Sequence, residues 1–591
     1  METISGNDIL IIGGGAAGLR AAIEAAETDE NLKIALVSKV YPTRSHTVSA
    51  EGGLAAAMRE YDSVENHAYD TVKGSDFLAD QDAVEYFVKN AREEILRLEH
   101  WGCPWSREEN GKIAVRAFGG MNAKRTVYAA DKTGFYLLHS LFERSLLYEN
   151  IKRYDEWYVT KLLTSDSAGK IGVGDNSGKT SPGDNSTPGI CGITALHLKT
   201  GKLVAFTAKV VILATGGAGR IYKFTTNSAL NTGDGLALAY NAGAALKDME
   251  FVQFHPTAMA KTGILITEAA RGEGGYLINK NGERFLQKHL PEKMELGPRD
   301  MVSRAIVSEI YAGNSFEGPH GHYVHLDIRH LGEKLIDEKL PLVREIAISY
   351  GGTDPVYEPI AVRPAQHYTM GGVAVNLNKE TGIPGLLAAG ETACSTIHGA
   401  NRLGSNSLSE CLVFGALAGR TAAAHCHKTH AQKHPSADLA AQMKDEENRI
   451  DQHLKNDGKE SLAAIRNEMQ ENMDHHAGIL RSEKSLEFGL NKLMELRERV
   501  KNVGVGDKST IFNTGLIALL ELEGMLLICE TIFKTALNRT ESRGAHYRTD
   551  FHSRDDKNWL KHQLVVKSEG GPKITHQPVT ITKWLPSERT Y

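Results

Sequence analysis

The apolar pattern of the chain changes its period several times, and each change marks a different kind of element. Ile9 to Ile12 is a continuous apolar run, too short for a helix and closed by glycines, which predicts a strand buried on both faces. An alanine-rich stretch follows to Ala26 and predicts a helix, and "LKIALVSK" at Leu32 to Lys39 is a second buried strand. Together these make a βαβ unit and the start of a doubly wound α/β domain. Alternating segments continue to "AKVVILATGGAGR" at Ala208 to Arg220, another buried strand ending in glycines. From about Asp248 to Asp354 the texture becomes irregular and punctuated by His and Gly, which predicts an inserted lobe. "IPGLLAAGETA" at Ile383 to Ala393 resumes the strand-then-glycine pattern and predicts a return to the first sheet. Between Ser436 and Leu537 apolar residues recur at helical spacing among charges, the pattern of a helical bundle. The remaining segment is polar and predicts an irregular tail.

The expected fold is therefore α/β, with a doubly wound Rossmann-like domain in two parts, residues 1–247 and 355–435. The inserted α+β lobe occupies 248–354, the helical domain 436–540 and a small C-terminal domain 541–591. The Gly-, Ser- and Asn-rich stretch from Ser165 to Ile190 predicts a long exposed loop.

Composition narrows the function. The 591 residues are 41% hydrophobic and 24% charged with a formal net charge of -5, so no basic stripe is available for nucleic acid. Neither the N-terminus nor any later stretch offers the roughly 18 uninterrupted apolar residues of a membrane span, so membrane attachment is expected only through another protein. The six cysteines are scattered without a C-x-x-C pair, which predicts a reducing compartment and no iron-sulfur cluster held by this chain. "HCHKTH" at His425 to His430 lacks a second ligand cluster and reads as an exposed helix end, so no metal site is expected. Cys411 reads as core packing, and Cys103 as a residue near the site but no nucleophile.

Gly13, Gly15 and Gly18 form G-x-G-x-x-G directly after a strand and at a helix start, where Gly14, Ala16 and Ala17 complete a turn that a pyrophosphate approaches closely. The acid that would hold an NAD ribose at the end of the second strand is absent, with Ser38 and Lys39 in its place. A second glycine cluster at Thr215 to Gly219, and "TGDG" with Asp234, predict a longer, FAD-sized ligand crossing the sheet.

The ordered motifs "RSHTVSAEGG", "ATGGAGRIY", "TGDG", "DMEFVQFHPT", "TEAARGEGG", "MELGPRD", "RPAQHYTMGG", "HGANRLGSNSL" and "ESRGAH" closely resemble the flavoprotein subunit of succinate dehydrogenases and fumarate reductases, over nearly the whole chain. The resemblance implies a capping role for the lobe and covalent FAD on His46, the histidine of the S-H-T motif, which raises the flavin potential. It implies FAD contacts from Ser45, Thr47, Ala50, Gly52, Gly53, His367, Tyr368, Glu391, Arg402, Ser405, Ser407 and Leu408. It also implies that His255, Thr267, His367 and Arg402 bind the carboxylates of fumarate or succinate, with Phe118 against the central carbons. Arg299 becomes the proton carrier, with Glu268 and Arg271, three apart in "TEAAR", relaying the proton and His255 assisting.

The same resemblance implies an iron-sulfur partner subunit and a membrane anchor that meets quinone, with this chain peripheral on the cytoplasmic face of the inner membrane. A carboxylate at Glu51, five residues beyond His46, is expected to lower the flavin potential and favour fumarate reduction. "WGCPWSR" and "AADKTGF" also look more like fumarate-reductase relatives. The chief alternative enzyme is a soluble L-aspartate oxidase, against which His46 argues, since that family typically lacks the linking histidine. A non-catalytic flavin subunit would show gaps in the substrate set, and the sequence shows none.

Overall fold

The computed structural model describes residues 2–165, 189–428 and 436–589; most of the segment expected to loop out after Ser165 lies outside them, as do Thr429 and His430. Five parallel strands form the central sheet in the order Leu386–Ala388, Val210–Leu213, Ile9–Ile12, Ile34–Ser38 and Ile151–Asp155. Alternate side chains of each strand enter two different cores, which is why these runs are apolar without interruption. Leu10, Ile12, Val37 and Leu213 face a core shared with the helical bundle, while Ile9, Ile11, Leu36 and Ile212 face the helices Ala16–Thr28 and Asn406–Lys428. The strand Leu386–Ala388 joins this sheet after the chain has made its long excursion, pairing with Val211 to Leu213.

The excursion builds an antiparallel sheet in the order Val252–Met259, Ile360–Thr369, Gly321–Asp327 and Tyr276–Ile278, against which the helix Arg299–Tyr311 packs. It has a core of its own, including Ile266, Leu277, Val302, Val324 and Val362. A tie to the first domain comes from Asp131, whose carboxylate accepts the backbone N–H groups of Leu342 (2.7 Å) and Val343 (3.2 Å) at the start of the helix Pro341–Ile346.

The helices Ser436–Lys455, Leu462–His476, Glu483–Arg499 and Thr514–Asn538 follow. Among the described residues no helix is long and apolar enough to cross a membrane. The polar tail is more ordered than its pattern suggests: Lys561–Val566 and Lys573–Pro578 complete a five-stranded sheet with Leu246–Lys247, Gly372–Ala374 and Ala393–Cys394.

His562 fastens this tail. Its Nδ1 lies 2.6 Å from Asp248 and its Nε2 3.2 Å from Asp80. Burial opposes its charge, but the two carboxylates outweigh burial and lift its pKa to about 9. The folded value exceeds the ordinary one, so the stabilisation is complete below about pH 6.5 and is lost as pH rises towards 9. Urea unfolding is expected to show stability declining between those limits, with a flatter profile in His562→Gln.

Candidate active site

A continuous cavity of about 480 Å³ runs from the C-terminal ends of the parallel strands to the junction with the second sheet. All the expected cofactor residues line it except Gly18. Gly13 has φ +112°, and a Cβ there would lie 2.2 Å from the Ala214 carbonyl oxygen. Gly18 serves the packing instead: its Cβ would meet the Gly13 carbonyl oxygen at 1.9 Å, so strand and helix touch only because both residues are bare. The helix Ala16–Thr28 begins at Gly15, which has no side chain to cap it, and the Thr47 hydroxyl accepts the Ala16 N–H at 3.2 Å. That end is suited to an anion. Ser45 adds a buried hydroxyl without a hydrogen-bond partner. The glycine cradle, the helix start with no side chain at Gly15 and the Ser45 hydroxyl fit a dinucleotide-sized anion such as FAD.

Lys39 and Asp234 meet in the wall. The ammonium lies 2.7 Å from Asp234 and 2.8 Å from Glu521, and Thr232 donates to the second Asp234 oxygen at 2.8 Å. Lys39 thus joins the wall to the helix Thr514–Asn538.

His46 lies on the cavity wall in a short helical turn, His46–Ser49. Burial lowers its pKa to about 4, so the imidazole is neutral. The Ser228 N–H points at its Nδ1 from 3.4 Å, leaving Nε2 as the open nitrogen. Glu51 departs from expectation. Burial and the nearby Asp131 push its carboxyl well above the usual range, outweighing Arg116 and the Thr267 amide. A shift in that direction favours the neutral carboxyl, which weakens the electrostatic ground for a flavin potential lowered by this residue.

At the far end of the cavity the strand Val252–Met259 carries His255, the strand Ile360–Thr369 carries His367, and the two rings stand 5.0 Å apart. The Thr257 N–H donates to His255 Nδ1 at 3.2 Å, which leaves Nε2 buried and without a partner. His367 Nδ1 is 2.8 Å from the Thr226 hydroxyl. Burial, then Arg299, holds both imidazoles well below their ordinary pKa. Thr267 caps the short helix Glu268–Gly272, and Phe118 is buried beside Ala55, Met121 and Leu403.

Arg299 opens its own helix. Its Nε donates to Glu268 at 2.8 Å and its Nη1 to the Gln253 side-chain oxygen at 3.1 Å. Glu268 also accepts the Gly119 amide at 2.5 Å and stands 3.8 Å from Arg271. Burial works against its charge, yet the two guanidiniums prevail and hold it below the ordinary carboxylate range. Arg271 does not line the cavity; it lies behind Glu268, donating to the Glu295 carbonyl. Arg402, lowered to about 9 by burial and by Arg299, keeps a buried Nε without a partner. The group carries more positive than negative charge, with open donors facing one space. It can hold a small dianion.

The sequence compares accordingly. An FAD binding domain model matches residues 8–408, and a model for the fumarate reductase flavoprotein C-terminal region matches 466–591. The fumarate reductase flavoprotein subunit of Mycobacterium tuberculosis is 52% identical, covering 99% of each chain. This chain belongs to the succinate dehydrogenase and fumarate reductase flavoprotein family. The succinate dehydrogenase flavoprotein subunit of Coxiella burnetii is 41% identical over 97% of this chain and 96% of its own. The quinol fumarate reductase of Escherichia coli superposes with a TM-score of 0.94 at 46% identity, covering 100% of this chain and 99% of that one.

As a family flavoprotein, the chain contains site residues that its sequence did not single out. Gln253 spans Arg299 and the backbone of Arg402, to whose carbonyl it donates at 2.8 Å. Its one signal is a polar side chain between the apolar Val252 and Phe254, two residues before His255. Asn227 holds the His367 carbonyl at 2.8 Å. Cys103 belongs to the core beneath the first sheet and not to the cavity, whereas Cys411 does reach the cavity wall. His425 and His427 pair with Glu380 and Asp29.

Gly13→Ala is expected to cost on the order of 1–3 kcal/mol of backbone strain, about tenfold or more in cofactor retention. Flavin absorbance per chain after gel filtration measures it.

Proposed function

We propose that this flavoprotein interconverts fumarate and succinate with FAD bound covalently at His46, working mainly as a fumarate reductase. The observation that carries the reading is the Arg299–Glu268–Arg271 chain, buried beside a dianion-sized group of open donors in the same cavity as the glycine cradle. FAD, when bound, supplies the two-electron chemistry that neither arginine nor histidine possesses.

The protein's own residues do the rest. His255, Thr267, His367 and Arg402 grip the two carboxylates, and Phe118 packs against the central carbons. Arg299 delivers a proton to one of those carbons in the reducing direction and takes it back in the oxidising one. Glu268 and Arg271 restore the proton to Arg299, so the carrier is recharged from behind without opening the site to water. The neutral His46 would hold the flavin at Nε2, the nitrogen left facing the cavity, which carries the ring proton while Nδ1 accepts the Ser228 N–H and would give that proton up on attachment.

The reducing direction is supported by the relatives, since those named fumarate reductase are 46–52% identical and those named succinate dehydrogenase 41–42%. An iron-sulfur subunit and a quinone-binding membrane anchor complete the assembly, with this chain peripheral on the cytoplasmic face. The six cysteines, scattered and without a C-x-x-C pair, support a cluster held elsewhere.

Two measurements test the reading. The denatured chain, expressed with its flavinylation machinery, should exceed the sequence mass by one FAD, and His46→Ser should lose that mass. The variant should retain loose FAD and reduce fumarate while succinate oxidation collapses, since each ~30 mV of lost potential shifts a two-electron equilibrium tenfold. A chain that carries FAD elsewhere contradicts the assignment. Glu268→Gln should lower kcat in both directions by about 10²–10⁴, with KM far less affected. A change confined to KM would remove Glu268 from the proton route.

A further inference from the structure

We propose that Glu410 is a positioning residue for dicarboxylate binding: by tethering Tyr368 it fixes the plane in which Arg402 presents its guanidinium. The inference rests on the reading that Arg402 grips a substrate carboxylate.

Glu410 is buried in the helix Asn406–Lys428, and the proposed mechanism gives it no part. One of its carboxylate oxygens accepts the Tyr368 hydroxyl at 2.8 Å and lies 2.8 Å from His398 Nε2. His398 packs edge-on against the Tyr368 ring, with centroids 5.3 Å apart at 88°. The ring is therefore held at its far end and along one edge. Over it lies the Arg402 guanidinium, 4.4 Å from the centroid.

Arg402 needs this support because, among the described residues, its side chain has one hydrogen bond to the protein, from Nη1 to the Ser407 hydroxyl at 3.0 Å. One such bond leaves the guanidinium free to rotate about it. A stacked aromatic face removes that freedom while keeping the in-plane donors open for a carboxylate. A tyrosine anchored through its hydroxyl cannot swing about χ1, so the anchor behind the ring sets the aim of the cation in front. Burial and Glu410 also keep the phenol proton in place, which makes Tyr368 the donor in this bond.

Glu410→Leu and Tyr368→Phe each remove one end of the tether. In flavin-loaded protein of equal FAD content, each should raise the calorimetric Kd for succinate and the KM for fumarate on the order of tenfold, with kcat changed less than about threefold. The double variant should be no worse than the weaker single one, because both cut the same link. Glu410→Gln, which keeps an acceptor for the hydroxyl, should restore most of the affinity. Unchanged Kd, additive losses, or a Glu410→Gln variant as weak as Glu410→Leu overturns the proposal. If Glu410→Leu does not fold, Tyr368→Phe, which deletes a single oxygen, decides by the same Kd. An unmodified protein that binds succinate without turning it over contradicts the enzymatic reading alone, and binding that ignores these variants contradicts only the tether.

Discussion

The site depends on one buried carboxylate placed between two guanidiniums. Glu268 has almost no contact with solvent, and taking such an ion out of water costs several kcal/mol unless partners compensate. Arg299 at 2.8 Å, Arg271 at 3.8 Å and the Gly119 amide at 2.5 Å provide that compensation. The balance is deliberately incomplete. With Arg402 also buried nearby, three cations surround one strong anion, and on the cavity wall the surplus appears as the Arg402 Nε, which has no partner. A dianion would satisfy what the protein leaves open.

These groups come from separate stretches of chain. Arg299 and Glu268 belong to the excursion, whereas Arg402 follows the return to the parallel sheet. Gln253 joins the two sides, accepting from Arg299 and donating to the Arg402 carbonyl. Asp131 joins them again at the periphery through the Leu342 and Val343 amides. The geometry at the reacting carbons is therefore set by how the excursion seats on the first domain. A few hydrogen bonds across that junction weigh more in catalysis than many in either core.

Sequence reveals what is local. The glycine turn, the buried strands and the i,i+3 pair in "TEAAR" are written within a few residues of each other, so their spacing carries their geometry. Charge state is different. Glu51 reads as an anion in isolation, and only its burial beside Asp131, far along the chain, pushes its carboxyl towards the neutral form. Arg271 matches a catalytic motif, yet only the fold shows that it stands behind Glu268 instead of on the cavity wall. Gln253 and Glu410 act through partners far away in sequence and carry no spacing signal. The tail's strands were hidden for the same reason: Lys561–Val566 is polar enough to read as coil and gains its order by pairing with Leu246–Lys247.

Three histidines in the cavity are neutral for one shared cause. Burial penalises imidazolium, and for His255 and His367 the guanidinium of Arg299 adds to the penalty. The site thus divides its labour by pKa: imidazoles serve as hydrogen-bond donors or acceptors, and guanidiniums carry the charge. If Arg299 is the proton carrier proposed above, a histidine in its place would lose its proton under the same pressures and leave nothing to deliver. Arginine starts so far above neutrality that burial still leaves it charged, which suits a donor working inside a cationic, water-poor pocket. On that proposal such a donor needs a neighbour to take and return its proton, and Glu268, 2.8 Å from the Arg299 Nε, is the carboxylate that would do so.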